Sequence, residues 1–121
     1  MNKQISSLDE ISFKRSACPI ACCLDIMGDK WTLLVVRDLF FGKTKFTEFQ
    51  QSAENIPTNI LATRLKQLEA VQLIVKTPYQ QRPVRYQYQL TESGQSLGSV
   101  LKAMVQWSEQ QLVNTARVQN L

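Results

Sequence analysis

The chain has 121 residues, 44% of them apolar and 20% charged, with only four glycines and four prolines. That composition fits one globular domain, residues 1–121, and excludes disordered and collagen-like chains. Three cysteines and no histidine remove Ser-His-Asp and Cys-His catalysis, any His-containing zinc site and a secreted disulfide framework. A four-thiolate zinc site would need one cysteine more than the chain has. Gly28, Gly42, Gly94 and Gly98 are scattered, so no glycine-rich phosphate loop is present. Neither enzyme activity nor a metal or cofactor is expected. No apolar run approaches the ~18 residues of a membrane span, and Met1 to Ser7 lacks the basic-then-apolar pattern of a signal segment. The expectation is a soluble cytoplasmic protein with no membrane partner.

The net charge of +4 is concentrated. Seven basic residues (Lys43, Lys45, Arg64, Lys66, Lys76, Arg82, Arg85) and three acids fall between residues 43 and 85, while the rest of the chain is balanced. A local excess of this kind suits a polyanion, and nucleic acid is the commonest.

In chain order, residues 1–17 form a polar arm with spaced apolar residues Leu8, Ile11 and Phe13. Cys18 and Pro19 suit the cap and first turn of a helix through Ile20, Leu24 and Met27 that stops near Gly28. Asp29 can cap a second helix, carrying Trp31, Leu33, Leu34, Val35, Leu39 and Phe40, which ends near Gly42. It is too apolar for a surface helix, and Trp31 is expected in the core. Thr44 or Lys45 starts a short helix with Phe46 and Phe49 inward. After a loop at residues 53–57, Thr58 caps a helix to about Val71. Leu61, Leu65 and Leu68 form its apolar stripe. Its outer face carries Asn59, Thr63, Lys66 and Ala70, flanked by Arg64 and Gln67, and lacks acids.

The period then changes. Leu73 to Tyr79 and Val84 to Leu90 read as strands joined by the tip Gln80-Gln81-Arg82-Pro83. Thr91 caps a final long helix to about Val113, with Glu92 in its first turn. Its apolar residues, among them Leu97, Val100, Leu101, Met104 and Trp107, cover more of the circumference than one core needs.

Two short helices, a second helix with a basic polar face and a basic-tipped hairpin make a winged helix-turn-helix: mainly α, with a small β-hairpin wing. Residues 43–90 are the expected DNA-binding part and 91–121 a C-terminal dimerisation helix. The major groove admits one helix. Thr58, Asn59, Thr63, Arg64, Lys66 and Gln67 are the candidate contacts, with Lys45 beside them. Arg82 and Arg85 on the wing would reach phosphates or a minor groove.

Several segments carry a family resemblance: Cys18-Pro-Ile, Leu24-Asp-Ile-Met-Gly-Asp-Lys-Trp-Thr-Leu-Leu, Lys45-Phe-Thr-Glu-Phe, Ile60-Leu-Ala-Thr-Arg-Leu-Lys-Gln-Leu-Glu and Arg85-Tyr-Gln-Tyr-Gln-Leu-Thr-Glu-Ser-Gly. Together, in this order, the chain resembles the HxlR family, a branch of the MarR-like winged-helix transcriptional regulators. The resemblance implies a homodimer on a pseudo-palindromic operator, and the function expected of it is that of a repressor. Leu8, Ile11 and Phe13 of the arm and Val100, Met104 and Trp107 of the last helix are the expected dimer contacts.

Members of the family that sense oxidants or electrophiles use a cysteine at the place of Cys18. A helix N-terminus favours its thiolate, and Lys14 and Arg15 are near in sequence. A packing role is the plainer reading of Cys18. Cys22 and Cys23 depart from the family pattern and are expected to be buried small hydrophobes. Residues i and i+4 of an intact helix are ~6 Å apart at Cβ, against the ~4 Å a disulfide needs, so a Cys18–Cys22 bond would require unwinding. Two alternatives stay open: a relative gated by a small effector at the dimer interface, and a winged-helix protein-interaction module.

Overall fold

A computed structural model describes Leu8 and residues 11–116. Of the expected arm and terminal helix, residues 1–7, 9, 10 and 117–121 lie outside the described residues. Helix α1 (Pro19–Met27) has Cys18 at its cap position and Pro19 in its first turn, where a missing N–H costs nothing. Gly28 follows it in right-handed backbone, φ −84°. A Cβ there would collide with the Leu24 carbonyl oxygen.

Trp31 takes the cap position of α2 (Thr32–Phe40), yet Asp29 does the capping. Its carboxylate accepts from the Trp31 and Thr32 N–H groups at 2.8 and 2.9 Å and from the Thr32 hydroxyl at 2.5 Å. These are donors that no helical carbonyl can reach. Beyond α2, Gly42 turns the chain at φ +95°, a left-handed conformation that glycine adopts without penalty.

Helix α3 (Phe46–Gln50) starts where Glu48 reaches back to accept from the Thr44 and Lys45 N–H groups at 2.8 and 2.9 Å. Pro57, rather than the expected Thr58, holds the cap position of α4 (Thr58–Ala70). Pro57 has no N–H to satisfy and lies extended just outside the helix. Thr58 is the first helical residue, and its hydroxyl accepts from Gln50 Nε2 at 3.1 Å, joining α3 to α4.

Strands β1 (Ile74–Gln81) and β2 (Val84–Leu90) pair antiparallel from Ile74↔Leu90 to Gln81↔Val84, with an irregularity at Tyr79. The ladder therefore runs two residues past the expected end of the first strand, and Arg82-Pro83 alone form the tip. Before α3, Lys45 bridges to Gln87, and Tyr88 N–H donates to the Thr44 carbonyl at 2.8 Å. This fastens the wing to the helical part.

The expected single C-terminal helix is two: α5 (Glu92–Gln95) and α6 (Gly98–Gln111). Thr91 caps α5, its Oγ1 accepting from Gly94 N–H at 3.1 Å. Gly94 packs so closely on Leu73 that a Cβ would strike the Leu73 carbonyl oxygen. Leu97 turns into the core at the break. Gly94, Ser96 and Gly98 are weak helix formers, so the chain bends there to bury Leu97.

The core lies between α2, α4 and the base of the hairpin, centred on Val36, Phe49, Leu61, Leu68, Leu73 and Ile74. Burying each leucine of the α4 stripe contributes roughly 2 kcal/mol, and this fixes which face of α4 looks outward. Trp31, expected in the core, is half-buried, with the Lys30 ammonium 5.0 Å from its ring centroid. Its place at a helix start leaves one side of the indole to solvent. Among the described residues no helix is long and apolar enough to cross a membrane.

Candidate nucleic-acid interface

With Leu61, Leu65 and Leu68 turned inward, α4 exposes Thr58, Asn59, Thr63, Lys66 and Gln67 on its outer side. The Thr63 hydroxyl donates back to the Asn59 carbonyl at 2.9 Å. Among the described residues no hydrogen bond or ion pair engages the side chains of Asn59 or Lys66. The acid of this helix, Glu69, is half-buried and lies 3.9 Å from Lys76 of β1, so it does not oppose the outer face.

Arg64 sits apart from the group it was expected to join. Its side chain is 21% exposed, and Nε donates to Asp29 Oδ1 at 3.0 Å. Nη1 lies 3.5 Å from Gln67 Oε1. Arg64 thus ties α4 to the α1–α2 junction. Burial opposes ionisation of Asp29, but the Thr32 hydroxyl, the Trp31 N–H, Arg64 and the Thr32 N–H together hold its carboxyl well below the usual range.

A second set of ties, unmarked in the sequence reading, fixes the turn between α3 and α4. Asp38 of α2 is buried and accepts from the Ser52 hydroxyl and from Arg37. Lys43 Nζ donates to Ser52 Oγ at 2.9 Å, and Arg37 makes a two-pronged pair with Glu54. The signal was available: an acid amid the apolar run Leu33 to Phe40 has to be partnered if it faces the core.

On the wing, Arg82 and Arg85 are exposed. Lys45 and Lys76 stack on aromatic rings, 4.5 Å from the Tyr79 and Tyr86 centroids respectively. Lys45 therefore joins the start of α3 to the hairpin. Tyr79 was not among the sequence candidates; its exposed ring beside a lysine is legible only once the strand register is known.

Of the expected dimer contacts, Leu8 and Val100 pack against the chain's own core, and Ile11 and Phe13 are half-buried. Met104 and Trp107 are 48% and 60% exposed, as are Ile20 and Leu24 of α1 at 72% and 53%. Cys18 is exposed, and the Ala21 and Ile20 N–H groups at the head of α1 hold its thiol below the ordinary range. Arg15 turns away from it to pair with Asp25 at 2.5 Å. Cys22 and Cys23 are half-buried rather than buried. Cys22 donates to the Ser16 carbonyl at 3.4 Å, and Cys23 packs on the core.

This order of elements, with a polar outer face on α4 and a fastened wing, coincides with a known family model, HxlR-like helix-turn-helix, which matches residues 26–116. The chain belongs to that family. An uncharacterised HTH-type transcriptional regulator of Mycobacterium bovis, Mb3122, is 31% identical over 106 residues. The match covers 88% of this chain and 66% of that protein, so the chain spans just under two thirds of its relative's length. Among solved structures, PA1607, described as a candidate transcription factor, superposes with a TM-score of 0.76 at 37% identity, covering 89% of this chain and 76% of the other. The redox regulator HypR in its reduced form gives 0.69 at 32%, covering 76% and 91%. The family is one of helix-turn-helix proteins, and these relatives are described as regulators of transcription.

Proposed function

We propose that the protein is a dimeric, sequence-specific DNA-binding repressor whose affinity responds to oxidants through Cys18. The observation that carries the DNA reading is the outer face of α4. It is exposed, polar and free of opposing acid, with Asn59 and Lys66 unengaged among the described residues. Asn suits adenine edges, and lysine suits guanine or phosphate. Arg82 and Arg85 on the wing add backbone contacts, which position the protein without reading sequence.

Dimerisation is supported by the exposed apolar residues of α1 and α6, Ile20, Leu24, Met104 and Trp107. Large apolar side chains left exposed on a small domain mark an interface, and a two-fold pair of recognition helices matches a pseudo-palindromic operator.

The sensor reading is supported by the exposure and lowered pKa of the Cys18 thiol and by the likeness to a redox regulator. Thiolate character is what makes a cysteine reactive. Two Cys18 thiols, one per subunit, would form a disulfide, their two electrons and two protons passing to an oxidant such as the azo bond of diamide. That bond would fix the relative placement of the two subunits and so of their recognition helices.

The test is binding of the purified protein to the DNA upstream of its own gene, with and without diamide, beside Cys18→Ser. The expected result is specific binding by reduced protein, lost with rising salt, and changed by diamide only when Cys18 is present. Salt-insensitive binding would point to a protein partner instead. An unchanged affinity after oxidation would make Cys18 a packing residue.

A further inference from the structure

We propose that Cys18 and Cys22, one turn apart at the head of α1, chelate a single soft monovalent cation, Cu(I) or Ag(I), between their two sulfurs. The Cys22 N–H donates to the Cys18 carbonyl at 2.9 Å, which closes a helical turn between the two residues. Side chains on a helix lean toward its N-terminus. The Cys22 thiol does so here, reaching back to the Ser16 carbonyl 3.4 Å away, and it therefore lies on the side where Cys18 stands. Ser16 also holds Cys18, its hydroxyl accepting from the Cys18 N–H at 3.0 Å. Cys18 is exposed and Cys22 half-buried, so an ion can reach both sulfurs from solvent.

The spacing that rules out a disulfide suits a bridging ion. Side chains one turn apart on a helix are about 5–6 Å apart at Cβ, too far for a direct S–S bond. Two metal–thiolate bonds of about 2.3 Å hold their sulfurs roughly 4.6 Å apart in a linear S–metal–S unit. Rotation about the two Cα–Cβ bonds reaches that separation with the turn intact. The missing histidines and fourth cysteine bear on four-coordinate zinc and leave two-coordinate binding untouched.

The donor set selects the ion. Thiolates favour soft ions, Cu(I) above all. Among the described residues no group of three or more cysteines and acids converges, so an ion that demands three or four protein ligands is not served. Cys23 packs on the core. Asp25, the nearest acid along α1, is a hard oxygen donor and is held by Arg15. Binding forms two sulfur–metal bonds and releases the thiol protons to solvent; no electron is transferred, and the complex carries one negative charge. The Ile20 and Ala21 N–H groups, which already favour the Cys18 thiolate, stabilise that charge at the helix head. Ile20 and Leu24, the α1 residues offered to a partner subunit, project about 200° around the helix from Cys22 and leave the pair open. The ion and the intersubunit disulfide draw on the same Cys18 sulfur and exclude one another.

The experiment titrates the reduced full chain, without oxygen, with Ag(I) and with Cu(I) supplied from a competing chelator. Ultraviolet absorbance of the metal–thiolate bonds and native mass spectrometry follow the binding. One ion per chain is expected, with two sulfur neighbours by X-ray absorption. Cys18→Ser and Cys22→Ser should each weaken binding at least about a hundredfold, because each removes one of the two bonds. Cys23→Ser should bind as wild type does. On the wild-type chain itself, the bound ion should protect Cys18 and Cys22 together from alkylation, a readout that needs no variant to fold.

One ion shared by two chains would overturn the proposal, since the Cys18 sulfurs of two subunits would then be the ligands. Wild-type affinity in folded Cys22→Ser would overturn it as well, leaving only an exposed thiol that captures soft ions. Protection of Cys18 without Cys22 has the same meaning. None of these readouts uses DNA, so they stand or fall separately from the regulator reading.

Discussion

Arg37 on α2 and Glu54 in the α3–α4 loop meet fork to fork, Nη1 to Oε2 and Nη2 to Oε1, both at 2.8 Å. The same guanidinium reaches Asp38 through Nε and Nη2 at 3.1 and 2.8 Å. Asp38 in turn accepts from Ser52. Arg37, directly and through Asp38, thus holds Glu54 and Ser52, in the first half of the loop that leads into α4. Paired two-pronged geometry resists rotation better than a single contact.

This pair has a pH signature. The Arg37 hydrogen bonds lower the Glu54 pKa from 4.5 to about 2. A depressed carboxyl pKa contributes stability that is complete above the unfolded value and is lost as pH falls through the folded value. Glu54→Gln should destabilise the protein at neutral pH by about 0.5 kcal/mol, a modest figure because the Glu54 side chain is 38% exposed. Melts of both proteins between neutral pH and pH 2 should show the gap closing below about pH 4, the range in which Glu54 protonates. A gap that stays constant over this range would mean the pair contributes no charge-dependent stability.

Gly94→Ala tests the break between α5 and α6. The new methyl would strike the Leu73 carbonyl oxygen, which also accepts from Thr91 N–H at 3.0 Å. Backbone on both sides leaves little room to yield, so a loss of about 1–3 kcal/mol is expected in urea denaturation. Gly98→Ala is the control. Its methyl would lie 3.4 Å from the Phe40 ring, ordinary contact, and unfolding should stay within about 0.5 kcal/mol of wild type.

The parts of this fold that were readable from sequence are those governed by period and punctuation. The Leu61, Leu65, Leu68 stripe set the inward face of α4, and Pro19 and Gly42 marked helix limits. The split of the last helix was not readable, because Leu97 belongs to the apolar pattern of either one helix or a bend. The decision came from the close approach of Gly94 to Leu73, a long-range contact. The candidate site divides the same way. Asn59, Thr63 and Lys66 were placed outward by period alone, whereas the commitment of Arg64 to Asp29, 35 residues earlier in the chain, depends on tertiary packing.

That division predicts two kinds of variant on one helix. Lys66→Ala removes an exposed charge, so it should weaken binding to operator and random DNA alike and reduce the salt slope by about one. Asn59→Ala should instead cost about 1–3 kcal/mol on the operator alone. Arg64→Ala should lower the melting temperature of the free protein, because it removes the tie to Asp29, while Lys66→Ala leaves it unchanged. Gel-shift titrations at several salt concentrations, together with melts, separate the three. Equal effects on operator and random DNA from Asn59→Ala would remove it from base recognition.

Trp107 and Met104 test the dimer. Both are exposed on α6, while Leu101 on the same helix is buried and anchors it to the core. Replacing Trp107 and Met104 by serine removes apolar area without opening a cavity in the subunit, so the monomer should stay folded. In a two-fold interface each change counts twice. Losing roughly 1.5–3 kcal/mol per buried side chain would then raise the dimer dissociation constant by several orders of magnitude. Sedimentation should show monomers at concentrations where wild type is paired. The variant should bind a single half-site with about half the wild-type salt slope, because half the phosphate contacts remain. An unchanged sedimentation coefficient would place the dimer contact elsewhere, with the exposed Ile20 and Leu24 of α1 as the next surface to alter.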